Sequence, residues 1–213
     1  MMNLGGDERI YPASMTKIMT ALLTIENLPD LNETITVPED IFEELTAQDA
    51  SVAGFNPYEQ PTVRDLLYGV LLPSGADACE TLARAVGGSE EGFVAMMNQK
   101  AEELGLTNTH FENCTGLHND NHYSTCRDIA VLMSECLKSD TFREIVTREV
   151  YTTEATASHP EGITLYDTML HRFTSYEMST TLENGAVIEG GKTGFTDEAG
   201  QCLVSFAEYG GEE

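Results

Sequence analysis

Two of the chain's four lysines stand where a lysine could do chemistry. In Ser14-Met15-Thr16-Lys17 the serine and lysine are three positions apart at the start of a predicted helix after Pro12. That spacing puts both side chains on one face. A serine hydroxyl is a weak nucleophile that needs a base. Lysine can be that base only when its pKa is depressed, which burial in an apolar helix face brings about. Free N–H groups at the helix start would stabilise the oxyanion formed when Oγ adds to a carbonyl. The plain alternative is a capping serine and a solvated lysine. With this many serines and lysines, chance supplies roughly 0.2 such spacings, so the motif is weak by itself.

Gly190-Gly191-Lys192-Thr193-Gly194 is the second constellation. It lies on a predicted strand, where glycines let a ligand backbone approach the edge. Lys192 and Thr193 offer a cation and a hydroxyl to a carboxylate. A phosphate loop is disfavoured, because Ala186 stands where glycine is required and Glu189 would repel phosphate. Ser74-Gly75-Ala76 breaks two helices, and alone its serine reads as a cap. Cys114, His118, His122 and Cys126 have zinc-type chemistry at four-residue spacing. Gly116 and Asn119-Asp120-Asn121 argue instead for a loop and a core thiol. Arg172 reads as a surface arginine that could assist a carboxylate site.

These residues need a scaffold. Ile18, Ala21, Leu22 and Ile25 share one face of the first helix, which stops before Pro29. Thr34 to Val37 is a β-rich run, Pro38 to Leu45 a short acidic helix, and 46–61 a loop. Thr62 with Asp65 forms a capping box for the helix through Leu66 and Val70. A helix through Cys79, Leu82 and Val86 ends at Gly87-Gly88. Ser89 caps another through Phe93 and Met97, closed by Gly105. Residues 107–124 form a polar loop, a candidate seam between a helical part and a sheet part. Thr125 and Asp128 open a helix through Leu132 and Cys136, and Thr147 to Thr153 is a strand. Gly185–Gly194 and Gln201–Tyr209 make a hairpin. Glu43-Glu44, Glu90-Glu91 and Glu102-Glu103 read as solvated faces, and the methionines as core filler.

At 213 residues the chain is long enough for a sizeable core. Its net charge of −25 excludes a general nucleic-acid binder and disfavours anionic lipid. No apolar run reaches the ~20 residues of a membrane span, and the start lacks a signal peptide. As written the chain therefore reads as cytoplasmic unless an export signal has been lost. Five dispersed cysteines, an odd number without CxxC, read as free buried thiols.

Ser-x-x-Lys, a Ser-x-x element and Lys-Thr-Gly together form the signature of penicillin-recognising serine enzymes. The stretches Tyr11–Leu23, Asp65–Ala78, Asn113–Thr125 and Gly190–Val204 resemble the D-alanyl-D-alanine carboxypeptidases, the low-molecular-weight penicillin-binding proteins. The resemblance covers nearly the whole chain. It implies an α+β, β-lactamase/transpeptidase-like fold: an antiparallel sheet flanked by helices, with a mostly helical lobe. It also implies one catalytic domain over 1–213, partial because the family's first strand and last strands lack counterparts. Ser14 is then the nucleophile, Lys17 its general base and Ser74 a proton relay. Lys192 and Thr193 hold the substrate carboxylate, and the backbone N–H groups of Ser14 and Phe195 form the oxyanion hole. No metal or cofactor is implied. The implied substrate is a peptidoglycan stem peptide ending in D-Ala-D-Ala, handled outside the cytoplasm, with β-lactams as covalent inhibitors. Ala76 departs from the asparagine usual in the second motif. The alternatives are a class A-like β-lactamase, which needs a deacylating glutamate and a Ser-Asp-Asn motif, and a non-catalytic peptidoglycan-binding module.

Overall fold

The computed structural model describes residues 4–210. The chain enters through strand β1 (Arg9–Ile10), a 3-10 turn (Ala13–Thr16) and helix α1 (Lys17–Asn27). Helices α2 (Ile41–Ala47), α3 (Val63–Leu71), α4 (Ala76–Gly87) and α5 (Glu90–Glu103) follow. After strand β2 (Ser124–Thr125) come α6 (Cys126–Cys136) and α7 (Asp140–Val146). The chain closes with β3 (Val150–Thr152), β4 (Thr164–Tyr166), α8 (Leu170–Ser175), β5 (Val187–Thr196) and β6 (Gly200–Glu208).

Local chemistry sets most helix ends. Thr62 and Asp65 make the reciprocal capping box at α3, each side chain accepting from the other's backbone N–H. Ser89 caps α5 and Thr125 caps α6. Gly88, at φ +75°, closes α4 in the left-handed conformation that glycine adopts without penalty.

Helix α1 is central. It is buried from Lys17 through Thr24 and packs against α3, α4, α5, α6 and α7. Its buried hydroxyls stay satisfied, Thr24 by the Thr20 carbonyl and Thr20 by the Cys114 carbonyl. Its Ile18 belongs to one apolar cluster with Leu66, Leu82, Phe93, Phe111 and Phe142. No helix among the described residues is long and apolar enough to cross a membrane.

The α+β class holds, and pairing among the described residues is antiparallel. It is divided among three two-stranded ladders, β1–β2, β3–β4 and β5–β6. The predicted hairpin is present, with β5 running on to Thr196 and Gly200 at φ +67°. The expected strand at Thr34–Val37 is reduced to single bonds to the 59–62 segment and one bridge, Thr34 to Thr62. Pro61 stands opposite Ile35 and has no N–H to continue a ladder. The strand expected from Thr147 begins at Val150, because 140–146 form α7 and Thr147 is its C-cap.

The loop at 107–124 is partly interior. Phe111, Cys114, Thr115 and His122 are buried in it. All five cysteines are free: Cys79, Cys114 and Cys136 are buried, Cys202 is half-buried, and Cys126 is exposed rather than a core thiol.

Candidate active site

Ser14 lies in the 3-10 turn, one step before the α-helix expected to carry it. Ala13 takes φ +46°, so regular helix begins only at Lys17. Two glycines press on this turn. A Cβ at Gly116, itself at φ +84°, would lie 1.9 Å from the Ala13 carbonyl oxygen. A Cβ at Gly194 would lie 3.0 Å from Ser14 N. The loop before β2 and strand β5 thus clamp the turn by backbone approach that only glycine permits.

Lys17 Nζ donates to Ser14 Oγ at 3.0 Å and to the Thr115 carbonyl at 2.6 Å. The lysine is 3% exposed. Burial lowers its pKa, and the nearby Cys79, Cys114, Asp77 and Glu80 oppose that shift only in part. The downward shift favours the neutral amine that general-base activation of a serine hydroxyl requires.

Lys192 is the other buried lysine. Its Nζ donates to the Thr193 carbonyl at 3.0 Å. Burial, then the Lys17 charge, bring it down to about 7. The Thr193 hydroxyl is bonded to that of Thr168. Ser14, Lys17, Ala76, Thr115, Gly116, Phe195 and Thr196 line one small cleft, with Asp49, Ala50 and Ser51 on its rim. The amide side chain expected at position 76 is replaced there by a buried methyl.

Ser74 occupies the α3–α4 junction at φ +68°. Its Oγ is buried without a hydrogen-bond partner, so no bond joins it to Ser14 or Lys17. The positive φ of a non-glycine residue strains the backbone at this junction. Asp77 braces the same junction by accepting N–H groups from Ala53, Gly54 and Phe55.

Several contributors carried no signal in residue type. The Thr115 carbonyl that holds Lys17 is backbone. Asn113 organises its loop, its Oδ1 accepting from Thr115 N and Gly116 N and its Nδ2 donating to the Leu117 carbonyl. An Asx turn in Asn113-Cys114-Thr115-Gly116 was the available clue.

The four zinc-type residues go separate ways. His118 packs edge-on against Tyr11, His122 is bonded to Thr16, Cys114 is buried and Cys126 is exposed. Among the described residues, Glu80, Glu90 and Cys114 do bring their polar atoms within 4.8 Å of one another. Protons hold that cluster: the Cys114 thiol donates to Glu80, and burial with the Glu90 charge pushes Glu80 up to about 8. Glu90 is therefore not part of a solvated face. It accepts the Cys114 N–H and presses on Glu80. Arg172 is exposed, beside an apolar groove bordered by Thr193 and Leu203.

A profile of the D-alanyl-D-alanine carboxypeptidases, Peptidase_S11, matches residues 1–213. The D-alanyl-D-alanine carboxypeptidase DacF of Bacillus subtilis is 36% identical over 209 residues, covering 98% of this chain and 50% of its own length. The D-alanyl-D-alanine carboxypeptidase of Streptomyces sp. strain K15 is 36% identical over 214 residues, covering 97% of this chain and 71% of its own. The crystal structure of the Streptomyces K15 DD-transpeptidase superposes with a TM-score of 0.85 at 35% identity, covering 99% of this chain and 80% of that one. Penicillin binding protein 5 from Haemophilus influenzae gives a TM-score of 0.83 at 27% identity, over 100% of this chain and 58% of that one. The chain thus spans about half the length of some curated relatives.

Proposed function

The chain belongs to the Peptidase_S11 family of D-alanyl-D-alanine carboxypeptidases, and from that premise we propose that it hydrolyses the terminal D-Ala–D-Ala bond of peptidoglycan stem peptides. The observation that carries this reading is the bond from the buried Lys17 Nζ to Ser14 Oγ.

In its neutral form, which burial favours, Lys17 takes the proton as Ser14 Oγ adds to the carbonyl of the penultimate D-alanine. The backbone N–H groups of Ser14 and Phe195 hold the oxyanion. The C–N bond then breaks. The terminal D-alanine leaves with the proton returned from Lys17 through Ser74, whose free hydroxyl suits a relay. Water cleaves the ester by the same route, with Lys17 again as base. Lys192 and Thr193 hold the substrate's terminal carboxylate, an anion an acidic protein can bind only at a local cation. Penicillins present a strained amide and a carboxylate in the same relation, and they acylate Ser14 too. Stem peptides lie outside the cytoplasmic membrane, and the enzyme acts there.

The β-lactamase alternative is disfavoured, because no glutamate lines the cleft among the described residues. Likeness to a structure described as a DD-transpeptidase supports a second outcome for the same acyl-enzyme, capture by an amine instead of water. The test is release of D-alanine from a peptide ending in D-Ala-D-Ala, with and without glycylglycine. Release by the native chain and none by Ser14→Ala or Lys17→Ala is expected. A new peptide product with glycylglycine identifies transfer. Peptide binding without any release would leave a binding module.

A further inference from the structure

Thr16 stands between Ser14 and Lys17, and its side chain is buried. Its Oγ1 lies 2.8 Å from Nε2 of His122, a residue 106 positions away. The other ring nitrogen, Nδ1, accepts the backbone N–H of Glu112 at 3.2 Å. Because Nδ1 accepts, the ring proton sits on Nε2, and Nε2–H donates to Thr16 Oγ1. The ring is 2% exposed, with Phe111 packed edge-on at 5.6 Å. Burial, with the His110, His118 and Lys17 charges, brings His122 down to about 4, so it is neutral across the neutral range. The Glu112 carboxylate engages His110.

The nucleophile turn spans four residues, tied by the Met15 N–H to the Pro12 carbonyl and by the Lys17 N–H to the Ser14 carbonyl. The loop around 107–124 reaches the turn with backbone at Gly116 under Ala13, and the helix that follows it at two places, the Thr115 carbonyl on Lys17 and the Cys114 carbonyl on Thr20. His122 adds a side-chain bond on the turn itself, between the two reacting residues.

We infer that His122 is a positioning residue for acylation: by donating to Thr16 Oγ1 it fixes the rotation of the turn and keeps Ser14 Oγ within reach of Lys17 Nζ. It touches neither substrate nor reacting atoms. The inference rests on Ser14 being the nucleophile, and it adds a determinant that none of the three motifs contains.

Two substitutions dissect the ring. His122→Gln places an amide nitrogen near the Nε2 position and keeps the donor to Thr16. His122→Asn leaves an acceptor near Nδ1 and no donor near Nε2. Thr16→Val removes the acceptor at nearly constant shape. The experiment is stopped-flow acylation of the full chain by a chromogenic cephalosporin, separating the acylation rate constant from the dissociation constant of the preceding complex. His122→Asn and Thr16→Val are expected to lower the rate constant about 10- to 100-fold, the effect of a small misplacement of a reacting group. The dissociation constant should change less than about twofold, because the carboxylate is held from β5. His122→Gln should restore the rate to within about threefold, and the double variant Thr16→Val/His122→Asn should be no slower than either single one. A native rate in Thr16→Val would overturn the inference. So would equal losses in His122→Gln and His122→Asn, since a merely structural histidine lowers melting temperature without distinguishing the two. Should His122→Asn fail to fold, Thr16→Val and His122→Gln decide alone. Failure of the native chain to acylate would sink the Ser14 reading and this inference with it.

Discussion

Lys17 and Lys192 are two buried amines in one interior, and the charge on either disfavours charge on the other. In the proposed mechanism Lys17 takes a proton, and Lys192 gains one as it comes to hold an anion. Lys192 titrates near 7 in the fold against 10.5 unfolded, so the folded state binds fewer protons between those values. Its effect on stability is therefore most favourable above pH 10.5 and is lost as pH falls toward 7. Lys192→Met should raise the melting temperature, by more at pH 6 than at pH 10, while weakening penicillin binding. At pH 8, calorimetry in buffers of different ionisation heat should find a proton taken up when an anionic inhibitor binds. Glu80 has the opposite sign. Its folded value of about 8 lies above the usual 4.5, so its stabilising effect is full below 4.5 and is lost as pH rises through 8. Glu80→Gln should therefore stabilise the protein at pH 9 relative to native and gain nothing at pH 4. At this scale the pairing of Ser14 with Lys17 was legible in the sequence, because a three-residue spacing brings both side chains together. The Thr115 carbonyl and the His122–Thr16 bond were not, since one is backbone and the other joins residues 106 positions apart.

The site depends on how closely its elements approach. Gly116 holds the loop against the Ser14 turn at a distance no side chain tolerates. Gly116→Ala adds a Cβ 1.9 Å from a carbonyl oxygen at a positive φ. It should lower the melting temperature and slow acylation more than about 100-fold, because the turn itself must move. Asp77 supports the other wall. Asp77→Ala strands the N–H groups of Ala53, Gly54 and Phe55 and should cost about 2–4 kcal/mol in urea unfolding. Elements were legible where their signals are local. Thr62 with Asp65, Ser89, Thr125 with Asp128, and Gly88 marked helix ends correctly because capping is decided within four residues. The strands β1, β2 and β4, of two or three residues, are too short to carry a period, and they exist only through partners distant in sequence. Thr34–Val37 has the composition of a strand, and Pro61 across from it prevents one.

Across the whole molecule the excess of acidic residues is spread over surface that Lys and Arg do little to neutralise. Self-repulsion of that charge destabilises the compact state, and salt screens it within about 8 Å at 0.15 M against about 30 Å at 0.01 M. The melting temperature should accordingly rise between those two salt concentrations at pH 7.5. The α+β class and the order of its parts could be read from the three motifs and the hairpin pattern. Division into three ladders, and a central helix buried almost all round, could not, because both depend on packing between segments far apart in sequence.

The central claim is that Ser14, bonded to the buried Lys17, is the nucleophile. Intact mass after incubation with a penicillin, beside a Ser14→Ala control, tests it most directly. The account expects one added drug mass on the native chain and none on the control. A chain shown folded by circular dichroism that gains no adduct, or a control that gains the same adduct, would contradict it.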